Sequence, residues 1–298
     1  MKSLQIHSSV ATTQANKPSP QHHIDNLLET ARHGVTVTEG MASELLLNLG
    51  LALIPMVFLW GLSISLRDVS IVDIYWGAGF VYLAWMSSLR TVGIDAFTWQ
   101  HWALCITVSV WGARLSLYLL WRNWGEGEDP RYVSMRSRSS NFWLTSFLRV
   151  FVLQAIVMWC VSLPVQVSLL SGGRGFMAIH GLGLAFWSVG LFFETVGDFQ
   201  LAQFRKRRTS GQVLDKGLWR YTRHPNYFGD FMVWWGLFLL SWRSVDSAWT
   251  AVGPAIMTFF LLRVSGVALL EKDIGQRRPA YSEYIEKTSP FFPWFPKE

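Results

Sequence analysis

The residues best able to do chemistry fall in three places. Glu194, Asp198 and Arg205 are spaced i, i+4 and i+11. Eleven residues is close to three helical turns, so on a helix all three share one stripe. Asn226 and Asp230 repeat the i, i+4 spacing further on. Carboxyls so placed can move a proton, or they can pair with an arginine and hold helices together. Arg149 and Arg263 are the expected partners for that second role. Between the two pairs, residues 204–227 read FRKRRTSGQVLDKGLWRYTRHPNY, with Arg205, Lys206, Arg207, Arg208, Arg223 and His224 interleaved with Trp219, Tyr221 and Tyr227. Guanidinium groups grip phosphate and aromatic faces stack on a base, so this stretch suits an anionic nucleotide. A polybasic loop that sets topology or touches anionic lipid has the same composition. Pro225 restricts His224 to extended geometry and can open a helix. Arg223 and His224 would then stand at its mouth, where the dipole favours phosphate. The third place is SIVDIYWGAGF at 70–80, where Asp73 and Tyr75 pair an acid with a phenol, either as a proton donor or as a helix cap. No GxGxxG fingerprint or Walker loop occurs, which argues against a Rossmann or P-loop site.

These residues need a scaffold, and composition says that it sits in lipid. The chain has 298 residues, 51% of them apolar, only 15% charged, and 17 Trp. Soluble domains carry about 25% charge. Apolar runs at 44–66, 71–89, 99–121, 142–170, 176–204, 227–242 and 247–270 predict an all-α polytopic bundle of about seven transmembrane helices. Trp and Tyr crowd many of their ends, as interfacial belts do. Residues 1–41 are polar and read as a disordered tail, and 42–298 as one membrane-embedded domain. Seventeen Lys and Arg fall in one set of alternate loops and six in the other. The first set is expected to be cytosolic together with the C-terminus, in the endoplasmic reticulum or another endomembrane. The basic balance therefore implies membrane topology and not nucleic-acid binding. Cys105 and Cys160 lie in apolar runs without a CxxC partner or nearby His, so no metal site or disulfide framework is expected. The aromatic tail at 271–296 reads as an amphipathic segment that folds back on the cytosolic face.

With those segments in hand, a resemblance can be stated. SIVDIYWGAGF (70–80), DPRYVSMR (129–136), ETVGDFQLAQFRK (194–206), GLWRYTRHPNYFGD (217–230) and the C-terminal 269–297 resemble the steroid 5-alpha-reductases and sterol reductases, and most of all their DUF1295 branch. The resemblance implies a membrane-bound reductase that uses NADPH on a C=C bond of a steroid, sterol or fatty-acyl-like substrate. It implies cofactor contacts at Arg205, Leu214, Trp219, Asn226, Tyr227 and Tyr284, with Glu271 as an acidic contact. Asp230 stands where the steroid reductases carry Glu, and Leu201 replaces a family Lys. Lys206, Arg207 and Arg208 could take over that lysine's phosphate contact. RHPNY also recurs in isoprenylcysteine and phospholipid methyltransferases, so an S-adenosylmethionine-dependent enzyme is an alternative. A lipid-binding protein without chemistry is another.

Overall fold

The structure is a computed structural model that describes residues 20–171, 175–207, 209, 211–264 and 279–297. The regular elements among these residues are all helical. In chain order they are α1 (Pro20–Leu66), α2 (Ile71–Thr91), α3 (Trp99–Asn123), α4 (Pro130–Ser137), α5 (Phe142–Val161), α6 (Leu163–Leu170), α7 (Ala178–Arg207), α8 (Pro225–Leu240), α9 (Val245–Val264) and α10 (Pro279–Lys287). Contacts divide the chain into Met1–Ser43 and Glu44–Glu298. The functional candidates all lie in the second unit.

Residues 40–66 of α1, and all of α3, α5, α7 and α9, are long and apolar enough to cross a membrane. Phe58, Leu117, Leu148, Phe192 and Phe259 are exposed on these helices, as side chains facing lipid should be. The protein is thus an all-α polytopic membrane bundle. Two of the seven expected spans differ in kind. Helix α2 is rich in Gly, Ser, Tyr and Trp and buries Gly77, Phe80, Leu83 and Ala84. Helix α8 has 16 residues, about 24 Å of helix against a hydrocarbon core of about 30 Å. The run 142–170 is not one helix either: it breaks at Ser162, where Pro164 in the first turn of α6 removes a donor and restarts the chain. Helix α1 begins at Pro20, inside the stretch expected to be disordered.

Helices α7 and α8 are pressed together along glycines seven residues apart. A Cβ on Gly190 would meet Gly229 O at 2.6 Å, and one on Gly236 would meet Gly183 O at 2.8 Å. Small residues at such seams let helix backbones approach in a membrane, where apolar burial alone gives no preference for protein over lipid. Gly77 and Gly112 make the same close approach between α2 and α3. Behind these seams, Phe80, Trp111 and Trp234 form a fully buried aromatic trio with ring centroids 4.5–5.5 Å apart. The seams hold α2 to α3 and α7 to α8, the aromatic trio joins α3 to α8, and the candidate site lies among α3, α7 and α8.

Candidate functional site

Arg114 of α3 is the centre of the polar interior. One guanidinium nitrogen meets Glu194 Oε1 at 2.5 Å. The other pairs with the Asp198 carboxylate and donates to Glu194 O at 2.9 Å. The Trp111 indole donates to Glu194 Oε2 at 2.8 Å. Asn226 Nδ2 donates to Asp198 Oδ1 at 3.1 Å, and Asn226 Oδ1 accepts the Tyr227 amide. Glu194 and Asp198 are therefore one stripe of α7, as their spacing requires, and both are buried. Asp230 follows Asn226 by one turn on α8. Its carboxyl faces the Trp234 indole one turn further on, and its Oδ1 and that indole nitrogen are both buried.

The cluster opens on a cleft of about 410 Å³ between α3 and α7. Arg114 and Asp198 line it, Tyr118 and Trp121 supply aromatic walls, and Lys206 stands at its rim. Lys206 Nζ lies 5.0 Å from the Trp121 ring centre, and the Arg114 and Arg122 guanidinium groups lie 5.5 and 5.9 Å from the Tyr118 ring. Arg205, Lys206 and Arg207 are exposed on the last turn of α7, where cations complement the dipole. Arg208 and Glu271 lie outside the described residues.

The loop before α8 is held from two sides. The Trp219 indole donates to Gly197 O at 3.1 Å, and the Tyr284 hydroxyl donates to the Trp219 carbonyl. Arg223 is buried, and Nη1 donates to Ile285 O at 2.9 Å and Thr288 O at 2.5 Å. These carbonyls end α10 and its following turn, where helices leave acceptors without intrahelical donors. Arg223 thus meets a need of the C-terminal segment, where sequence reasoning assigned it to phosphate. His224 is buried and stacks on Tyr227 at 5.4 Å, and Leu214 is half-buried in the same loop. Pro225 opens α8, as expected.

Asp73 stands apart from the cluster. Its carboxylate accepts from Arg131 and from the Tyr132 hydroxyl, both at 2.8 Å. This is the structural option for Asp73, tying α2 to α4. Asp129 caps α4 through the Arg131 amide. Burial works to raise the Asp129 pKa, but hydrogen bonds from Arg131 prevail and hold it below the ordinary carboxylate value. Burial, and then the adjacent Asp73, push the Tyr132 phenol up. Tyr75 packs near Gly79 and makes no hydrogen bond among the described residues.

The expected partners of Glu194 and Asp198 require correction. Arg149 and Arg263 are exposed, and Arg114 takes the role. The signal for it was a charged residue inside a span, with Trp111, Tyr118 and Trp121 at helical spacings around it.

The sequence signature of the family described as "protein of unknown function (DUF1295)" matches residues 59–288. The chain belongs to the DUF1295 family. It is 24% identical to an uncharacterized protein of Schizosaccharomyces pombe, over 79% of this chain and 75% of that one. It is 25% identical to a steroid 5-alpha-reductase of Arabidopsis thaliana over 113 residues, which is 38% of this chain and 37% of the reductase. No solved structure matches it. The DUF1295 chain is thus an integral membrane protein with a partial likeness to a steroid reductase. That likeness bears on what its polar interior is for.

Proposed function

We propose that this protein is a membrane-bound reductase that uses NADPH to saturate a C=C bond in a lipophilic substrate. The observation that carries the reading is the buried Arg114–Glu194–Asp198 cluster at the foot of an aromatic, cation-rimmed cleft. The partial likeness to a plant steroid 5-alpha-reductase supports it. The residues present suit such a cofactor. Tyr118 and Trp121 offer stacking faces, and Arg205, Lys206 and Arg207 offer phosphate contacts. When bound, NADPH would supply the hydride.

The chain's own part is orientation, proton supply and exclusion of water. Glu194, Asp198 and Asp230 put three carboxyls around the single guanidinium of Arg114. A proton shared among them brings the buried charge closer to balance, since surplus charge in the interior is costly. That proton is the one a reduced double bond must gain beside its hydride. Arg114 fixes the carboxyl oxygens through its planar fork. Trp111, Phe80 and Trp234 close the apolar side, which keeps water away. The C-terminal segment and the end of α7 are assigned to the cytosolic face of an endomembrane, where the cofactor is available.

Purified protein titrated with NADPH, NADH and S-adenosylmethionine tests this directly. NADPH should bind and quench tryptophan fluorescence, more tightly than NADH. Binding of S-adenosylmethionine alone would assign the protein to the methyltransferases, and binding of none of the three would leave a lipid-binding role.

A further inference from the structure

Two segments among the described residues are π turns, and each carries an arginine. Residues Phe147–Val152 of α5 form a π turn that contains Arg149, and residues Phe260–Val264 of α9 form another that contains Arg263. π turns are rare and cluster at functional sites. Both arginines are exposed, and neither has an ion pair or hydrogen bond among the described residues. Both helices are membrane spans. An unpaired guanidinium on a lipid-facing surface is costly, so the pair is a functional candidate on position alone.

The two arginines also lie at one depth. Helices α5 and α9 pack directly, with Gly253 against the backbone of Cys160 and Val161 and against Pro164. The preceding residues of α9 meet α6, so the two spans run antiparallel. Arg263 is ten residues past Gly253, about 15 Å along the axis, and Arg149 is twelve before Val161, about 18 Å. Measured from the same contact, the two levels differ by less than a turn. Arg149 is also seven residues inside the start of α5, about 10 Å, within reach of the headgroup layer for a long, flexible side chain. Exposed Trp143 and Phe259 flank the pair, as aromatic residues do at a lipid interface.

We propose that Arg149 and Arg263 form a binding site for the headgroup of an anionic phospholipid on the outer face of the α5–α9 pair. Each guanidinium offers a planar fork to phosphate oxygens, and the apolar helix faces hold the acyl chains. The site is separate from the Arg114 cluster and does not depend on the reductase reading. No described carboxylate competes for either guanidinium.

Native mass spectrometry of the full chain, released from micelles doped equally with phosphatidylserine and phosphatidylcholine, tests the proposal. The parent should retain phosphatidylserine in preference. The substitutions R149Q and R263Q should each lower that preference about fivefold, and together about thirtyfold. R149K/R263K keeps the charge and should keep most of the preference. A parent without preference overturns the proposal even if no variant folds. It is also overturned if R149Q/R263Q retains phosphatidylserine like the parent, or if the pair instead mediates a dimer that R149Q/R263Q abolishes.

Discussion

Replacing Arg114 by Gln tests the centre of the site. The side chain keeps much of its stem but loses the cation that faces Glu194 and Asp198. The carboxylates are 5% and 9% exposed, and Arg114 itself 16%, so water can do little to replace the lost partner. Removing one member of a buried ion pair costs about 3–5 kcal/mol, most of it from the charge left behind. Here two carboxylates are left, and the Glu194 carbonyl loses a donor as well. The expected loss is therefore at the upper end, near 5 kcal/mol. Unfolding of the purified protein in mixed micelles, followed by tryptophan fluorescence, measures it. The decisive comparison is R114Q/E194Q/D198N, which removes the stranded charges while keeping the shapes. It should recover at least about 2 kcal/mol of the loss, because contacting residues couple by up to about 3 kcal/mol. If R114Q unfolds like the parent, or if the triple variant is no better than R114Q, the charge argument is wrong.

Other outcomes follow from the same geometry. Gly190→Ala should destabilise by about 1–3 kcal/mol despite alanine's better helix propensity, because its Cβ would meet the α8 backbone at 2.6 Å; an equal or raised melting temperature would contradict the seam. Arg223→Gln should speed amide exchange across residues 289–297, since it removes the donor to Ile285 and Thr288; unchanged exchange would return Arg223 to the list of ligand contacts. For Asp129 the folded pKa lies below the unfolded one, so its contribution to stability is complete above the ordinary carboxylate value and is lost as pH falls through the folded value. Asp129→Asn should remove that part of the acid sensitivity of α4, read as exchange protection between pH 7 and 3. In cofactor titrations, neutralising Arg207 and Arg208 together should shrink the NADPH preference over NADH, at about 1.5–3 kcal/mol for each phosphate hydrogen bond lost. Equal binding of the two cofactors by the parent would remove the phosphate site.

Much of the architecture was legible in the sequence because lipid imposes simple rules. A span needs length and apolar composition, and both can be read locally, which is why α3, α5, α7 and α9 were visible. The pairing of Glu194 with Asp198 followed from helical periodicity alone, as did the first turn of α8 from Pro225. The signature residues likewise led to the right family, because motifs are local strings. The partner of a charge is not local. Arg114 lies 80 residues from Glu194, and its place inside a span marked it as a candidate without saying which carboxylate it meets. Only the tertiary structure, in which the Arg114 side chain of α3 reaches Glu194 and Asp198 of α7, turned that arginine inward and left Arg149 and Arg263 outside. Arg223 shows the same limit: its string suited phosphate, yet the C-terminal turn that folds back beside it supplies carbonyl oxygens, and a buried donor goes to the acceptor the tertiary structure brings within reach.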